Sequence, residues 1–291
     1  MTDINSKIRL YNGLAMPRLG LGTWGLSGRD LELAAQTALE VGYRHFDTAA
    51  AYENETTLGQ ALNSSGLKRE ELFVVSKIWN SDQGEGLTER AYDDILSRLG
   101  LDKLDLCLLH WPVASKTLKA WECLSDLYAK GRVSAVGVAN FDLAQLKWLL
   151  ASSELKPMVN QIELHPYRSQ TELTDFCREK GVVVSAYCPL ARGKIKKNQF
   201  LQKIARRHEK TVAQVVLRWH FQNGLAFIPK SAQPDRIRQN ADIYDFCLTP
   251  EEMAGLGKQN QDRSVLKPKF KFDSDGFIIE ENQENQENQG N

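Results

Sequence analysis

The sequence predicts an α/β fold: a (β/α)8 TIM barrel with an N-terminal β-hairpin and a C-terminal loop over its active-site face. Three observations carry this. Strand-like runs rich in β-branched and aromatic residues alternate with helix-period segments eight times in 291 residues. No second run of strands follows, and an open doubly wound sheet usually stops at five or six. Gly42, Gly66, Gly100, Gly131 and Gly181 each stand where a helix should end, a position that favours a left-handed residue.

Taken in order, residues 8–19 read as a hairpin, with Asn12-Gly13 signalling a type I′ turn between two alternating runs. Strands are expected near 19–22, 43–47, 72–77, 104–109, 133–138, 158–162, 182–187 and 225–228. Helices are expected over 30–41, 53–65, 86–99, 117–129, 142–151, 170–180, 198–208 with 211–223, and 234–240. From about residue 257 the pattern dissolves. Arg263 to Ile279 holds Phe270, Phe272 and Phe277 without helical period, which suggests a long loop packed over something. Residues 281–289 repeat Glu-Asn-Gln three times, a tract with nothing to bury and expected to be disordered. The expected division is one barrel domain over 1–280 and a low-complexity tail over 281–291.

Composition narrows the function classes. An apolar fraction of 42% suffices for a sizeable core, and a net charge of zero gives no basic footprint for nucleic acid or an anionic membrane. The last twelve residues carry four Glu and no Lys or Arg, leaving a mild positive excess elsewhere that suits an anionic small ligand. Five cysteines, odd in number and without C-x-x-C spacing, read as reduced structural thiols. Residues 1–12 are polar and no run of 18 apolar residues occurs, so a cytoplasmic protein without membrane insertion is expected. Nothing calls for more than a monomer.

In a parallel barrel the active site gathers at the C-terminal ends of the strands. One stretch stands out there: Gly42-Tyr43-Arg44-His45-Phe46-Asp47, then Thr48-Ala49-Ala50-Ala51-Tyr52-Glu53-Asn54-Glu55. Strand alternation puts His45 and Asp47 on one face and Phe46 on the other. Tyr52 follows where the turn folds it back over the strand end. Lys77 ends the third strand, where it is flanked by Asp47 on the second and His110 on the fourth. A lysine seldom enters an apolar barrel mouth without a partner, and Asp47 is the nearest. The bland reading is a rim ion pair. Beside Tyr52 the pair acquires a task, because an ammonium favours the phenolate and lowers the phenol's pKa, making it a proton donor near neutral pH. Gly20-Leu21-Gly22-Thr23-Trp24-Gly25 matches G-x-G-x-x-G with Asp47 at the ribose-binding distance, but Trp24 and the delayed helix argue against a dinucleotide-fold fingerprint.

These segments resemble the aldo-keto reductase family, from the hairpin to about residue 260. The matching runs are Gly42 to Ala49, Tyr52 to Glu55, Ser76-Lys77, Leu109 to Pro112, Val136 to Phe141, Val159 to Pro166 and Ile228 to Ser231. The resemblance implies a catalytic tetrad of Asp47, Tyr52, Lys77 and His110. It also implies an NADPH site. Asn140 and Gln161 hold the carboxamide, Tyr187 stacks on the ring, Lys230, Ser231 and Arg236 take the 2′-phosphate, and Gln239 and Asn240 lie near the adenine. Thr23, Trp24, Pro189 and Leu190 complete that set. Two departures bear on it: Ala139 stands where relatives usually carry Ser, and Gln233 replaces a small hydroxyl residue.

Trp24, Trp79 and Trp111 are expected to wall an apolar substrate pocket. The short connection after Pro112 groups the chain with short-loop members, similar to microbial diketogluconate and prostaglandin F synthase-like reductases. The implied reaction is NADPH-dependent reduction of an aldehyde or ketone, with Tyr52 as proton donor and a small-molecule carbonyl as partner; no metal is expected. Two alternatives stand beside it: a metal-dependent barrel hydrolase using His45, Asp47, His110 and His165, and a non-enzymatic barrel that binds NADPH. The missing His-x-His pair weakens the first, and an intact tetrad weakens the second.

Overall fold

Eight parallel strands hydrogen-bond in chain order, and the first comes back beside the last. The computed structural model describes residues 3–266 and 270–281. The sheet runs through β3 (Leu21–Gly22), β4 (His45–Asp47), β5 (Phe73–Ile78), β6 (Leu106–Leu109), β7 (Val136–Ala139), β8 (Val159–Glu163), β9 (Val183–Tyr187) and β10 (Ala226–Phe227), each paired with its neighbour. A parallel bridge between Leu19 and Phe227 closes the barrel. At this seam Gly20 N–H donates to the Phe227 carbonyl at 3.0 Å and Phe227 N–H to the Arg18 carbonyl at 2.8 Å. A Cβ on Gly20 would lie 2.7 Å from the His45 ring, and one on Gly22 would lie 3.0 Å from the Ile228 carbonyl oxygen. Two glycines of the G-x-G-x-x-G match therefore serve backbone approach at the seam, not a dinucleotide fingerprint.

Ahead of the barrel, β1 (Lys7–Arg9) and β2 (Ala15–Pro17) pair antiparallel with Ile8 opposite Met16. The expected type I′ turn is not formed. Gly13 N–H donates to the Leu10 carbonyl at 2.9 Å, and of the loop residues only Gly13 is left-handed, at φ 87°. This is a type I turn closed by a left-handed glycine. Asn12 keeps an ordinary backbone because its side chain works elsewhere: Nδ2 donates to the Ser134 carbonyl at 3.0 Å and Oδ1 accepts from Leu14 N–H at 3.0 Å. Leu10 and Met16 then plug the barrel floor beside Phe73, Val75, Leu106 and Leu108.

The helices are α1 (Gly28–Val41), α2 (Glu55–Asn63), α3 (Leu87–Leu99), α4 (Thr117–Ala129), α5 (Leu143–Ser152), α6 (Thr171–Lys180), α7 (Gln199–Arg207), α8 (Val212–Gln222) and α9 (Pro234–Ala241). Their apolar faces pack on the outside of the strands in a second, larger core that includes Leu31, Phe46, Leu58, Trp121 and Phe141. Strand alternation thus sends Phe46 outward into this layer while His45 and Asp47 turn inward. Among the described residues no helix is long and apolar enough to cross a membrane.

Two further elements lie beyond the expected pattern. Helix α10 (Pro250–Gly257) starts at Thr249, whose hydroxyl accepts from Glu252 N–H at 3.2 Å while the Glu252 carboxylate accepts from Thr249 N–H at 3.0 Å. That box was legible in Thr-Pro-Glu-Glu; eight residues are too few for a clear period. The expected C-terminal loop is in part a hairpin of β11 (Phe270–Phe272) and β12 (Ile278–Glu281). It docks on the segment after β6, where Ile278 N–H donates to the Pro112 carbonyl and Ala114 N–H to the Ile278 carbonyl, both at 2.9 Å. Glu281 belongs to this strand and not to the expected tail. The rest of that tail, 282–291, lies outside the described residues.

Candidate active site

The floor of the site is a buried ion pair. β4 delivers Asp47 and β5 delivers Lys77, each 1% exposed, and Lys77 Nζ lies 2.6 Å from Asp47 Oδ1. Lys77 Nζ also donates to the Thr48 carbonyl at 2.7 Å, and Gln161 Nε2 from β8 donates to Asp47 Oδ2 at 2.7 Å. Both carboxylate oxygens therefore have donors. Burial pushes the Lys77 ammonium below the usual lysine range, and the adjoining Asp47 charge opposes that push.

Tyr52 stands above this pair in a single 3-10 turn, Ala50–Tyr52, half-buried and facing the cleft. Lys77 Nζ is 5.1 Å from its ring centroid. The expected lowering of the phenol's pKa does not appear. Burial, then the Asp47 charge and the neighbouring Tyr187 and Cys188, hold it well above the usual tyrosine value. The reason is charge neutrality: Lys77 is already matched by Asp47, so the phenol meets a nearly neutral pair and desolvation wins. Tyr52 therefore keeps its proton in this setting. His110, from the end of β6, packs edge-on against Tyr52 (centroids 5.8 Å apart) and Trp79 (4.9 Å). Burial, then Lys77, holds the imidazole well below its usual pKa, so it is neutral, and its buried Nδ1 has no partner among the described residues.

All of the expected cofactor and substrate residues line one cleft of about 1420 Å³ that also includes Asp47, Tyr52 and His110; Lys77 alone of the tetrad lies beneath its surface. Asn140 follows β7 in the left-handed conformation, φ 64°, which Asn tolerates better than most residues. Its Nδ2 donates to the His110 carbonyl at 2.9 Å, and Tyr187 Oη donates to its Oδ1 at 2.6 Å. Ala139 before it is buried in the barrel and brings no hydroxyl. Thr23, wholly buried, binds the Asp47 carbonyl oxygen through Oγ1 at 2.9 Å. Trp24, Trp79, Trp111, Pro189 and Leu190 add apolar wall.

At the far end Lys230 and Arg236 are exposed toward the cleft, with Gln239 and Asn240 on the same helix α9. Ser231 Oγ accepts from Gln233 N–H at 3.0 Å and so shapes the turn that starts α9.

Sequence reasoning missed Arg192 and Lys194. Both line the cleft from the segment after β9, and the Arg192 guanidinium lies 4.6 Å from the Trp24 ring centroid. The signal was the basic run Arg192-Gly193-Lys194-Ile195-Lys196-Lys197; its fold-back depends on left-handed backbone at Cys188, Ala191 and Arg192, which no residue type announces. Of the three expected covering phenylalanines only Phe270 reaches the wall, 5.2 Å from Trp111 and 6.3 Å from Trp79. Phe277 packs instead on Trp148. The residues of the metal reading do not converge. His45 Nδ1 faces the Pro17 carbonyl at 3.0 Å and His165 Nε2 faces Glu163 at 2.9 Å.

Comparison with known proteins agrees with this geometry. The model of the aldo/keto reductase family matches residues 18–260. A glyoxal reductase of Bacillus subtilis is 44% identical over 265 residues, covering 91% of this chain and 96% of its own. An aldo-keto reductase from a deep-sea metagenome superposes with a TM-score of 0.87 at 38% identity, covering 90% of this chain and 97% of its own. An aldo-keto reductase of Bombyx mori, solved in complex with NADP, superposes with a TM-score of 0.85 at 34% identity, covering 91% of this chain and 96% of its own. On its sequence and its barrel alike, the chain belongs to the aldo/keto reductase family.

Proposed function

We propose that this protein reduces aldehydes and ketones to alcohols with NADPH, Tyr52 giving the proton. The observation that carries the reading is the ion pair of Lys77 and Asp47, sealed beneath a half-buried phenol at the mouth of the cleft.

The residues present fit the cofactor. Among the described residues Arg192, Lys194, Lys196, Lys230, Arg236 and Arg263 line the cleft and form no ion pair, so it offers six cations for phosphate charge. Asn140 and Gln161 retain amide capacity beyond their protein partners, enough for a carboxamide. When bound, the dihydronicotinamide supplies the hydride for the carbonyl carbon. The protein's own groups handle the oxygen. A carbonyl oxygen placed between Tyr52 Oη and the neutral His110 imidazole meets two hydrogen-bond donors. As negative charge develops there, the Tyr52 proton passes to it along the hydrogen bond already made. Trp24, Trp79, Trp111 and Phe270 exclude water around that oxygen, which strengthens each of these interactions.

The similar Bacillus subtilis protein is a glyoxal reductase, so small dicarbonyls head the substrates to test. The test is loss of NADPH absorbance with glyoxal, methylglyoxal, keto-sugars and quinones, run in parallel with NADH. Turnover of at least one carbonyl with NADPH is expected. No carbonyl-dependent consumption across the whole panel would overturn the reading in favour of a barrel that only binds the dinucleotide.

A further inference from the structure

Tyr52 stands on weak scaffolding: one 3-10 turn, followed by Glu53 in a left-handed conformation at φ 54° that a non-glycine residue adopts only when held there. The hold comes from the next residue. Asn54 is 2% exposed, and its amide is engaged at both ends. Nδ2 donates to the Thr23 carbonyl at 3.0 Å and to the Leu26 carbonyl at 2.8 Å; Oδ1 accepts from Thr48 Oγ1 at 2.6 Å. Two carbonyls on one side and a hydroxyl on the other leave only this amide orientation.

These bonds close a ring around the ion pair. Thr48 accepts Lys77 Nζ on its carbonyl at 2.7 Å, Lys77 binds Asp47 at 2.6 Å, and the Asp47 carbonyl takes Thr23 Oγ1 at 2.9 Å and Thr23 N–H at 3.0 Å. Thr23 returns to Asn54. The loop that carries Trp24 and the turn that carries Tyr52 are thus joined through one buried amide. Glu55 anchors the other side independently: its carboxylate accepts from Ser76 Oγ at 2.5 Å and from Arg98 Nε at 2.7 Å.

We infer that Asn54 is a positioning residue for proton transfer, setting the height of the Tyr52 phenol over Lys77 and the distance of the Trp24 wall from it. The inference rests on the proposed role of Tyr52. Losing the amide frees Glu53 to leave its left-handed conformation, and the phenol then drifts from the carbonyl oxygen. Displacement of about 1 Å costs on the order of a hundredfold in rate.

The experiment compares wild type with Asn54→Leu, Thr48→Val and Tyr52→Phe, measuring kcat, KM, the solvent deuterium isotope effect on kcat and NADPH binding stoichiometry. Asn54→Leu is expected to bind NADPH at full stoichiometry, lose about ten- to hundredfold in kcat, and show a larger solvent isotope effect because proton transfer becomes limiting. Thr48→Val removes one bond of the ring with little change in shape; it should shift the same quantities in the same direction, by less, and it carries the test alone should Asn54→Leu fail to fold. A folded variant whose kcat stays within about twofold, or falls with an unchanged isotope effect, overturns the inference: the amide then only stabilises the loop. Failure of the underlying reading looks different, because Tyr52→Phe would then retain wild-type turnover.

Discussion

The two halves of the cleft are built on opposite plans. On the side of β4, β5 and β6 the charged groups are buried and already partnered, with Lys77 and Asp47 at 2.6 Å and the second carboxylate oxygen on Gln161. On the side of β10 and α9 the charged groups, Lys230 and Arg236, are exposed and pair with no acid among the described residues. The first half is organised before any ligand arrives; the second leaves its charge for a ligand to neutralise. The difference teaches where each half spends interaction energy. A preorganised half contributes to rate, because its dipoles need no rearrangement as charge develops. An unpaired half contributes to affinity, and to discrimination by charge.

The comparison breaks most readily at Tyr52. Tyr52→Phe is expected to lower turnover by ~10²–10⁴-fold while NADPH affinity, measured by quenching of tryptophan fluorescence, stays within about twofold, since the phenol holds a proton and not the dinucleotide. Lys77→Met strikes the same half but differs in kind. It removes the cation near the phenol and leaves Asp47 buried without its counter-ion, so a loss of about 3–5 kcal/mol in folding stability accompanies the loss of turnover. Urea denaturation checks this; an unchanged midpoint would mean that Asp47 is held by Gln161 and the backbone alone.

Arg236→Met probes the other half. Its guanidinium makes no ion pair among the described residues, so stability should not change, but NADPH affinity should fall about ten- to hundredfold while NADH affinity holds, because a charge-assisted contact with phosphate contributes roughly 1.5–3 kcal/mol. Equal weakening of both cofactors would show that Arg236 shapes α9 and does not read the phosphate.

Acid sharpens the contrast more gently. Burial holds His45 below the usual imidazole value, and burial, then Lys77, holds His110 well below it. The unfolded chain takes up protons on both residues as the pH falls through about 6.5, whereas the native state refuses them. Their contribution to stability is therefore present above about pH 6.5 and is lost as the pH falls toward the folded values, at ~1.4 kcal/mol per pH unit for each proton withheld. Melting temperatures across that range should fall in wild type and by the same amount in Arg236→Met. Deleting residues 282–291 should move nothing: Glu-Asn-Gln repeats offer neither half an apolar surface, and a shift in melting temperature or Michaelis constant would show that the tail docks.

Much of this arrangement was legible from residue types because a parallel barrel puts its chemistry at strand ends. Asp47, Lys77 and His110 each close a strand whose pattern is unambiguous, and Tyr52 follows within reach. What escaped had other causes. Charge counting misled the reading of Tyr52, since one nearby ammonium is decisive only when no carboxylate already matches it. The bond from Gln161 to Asp47 crosses the barrel between residues 114 apart, a contact that no local pattern encodes. Arg192 reaches Trp24 through left-handed backbone at non-glycine residues. The hairpin of β11 and β12 went unread because a strand of three residues is too short to display alternation, and it is fixed from outside, by the Pro112 and Ala114 backbone.

The seam between Leu19 and Phe227 also sets a schedule for synthesis. One edge of the sheet is made about two hundred residues before its partner, so the circle stays open while the chain between them is translated. Until Phe227 emerges, β3 presents a free edge with unpaired backbone groups, and the loop that must close is among the costliest in the chain. The narrow gap at Gly20, where a single extra carbon would strike the His45 ring, must be filled by that last strand. A nascent chain stopped before Phe227 thus holds seven strands of the sheet with Asp47, Tyr52, Lys77 and His110 yet has no closed barrel, and open edges of that kind are prone to aggregate.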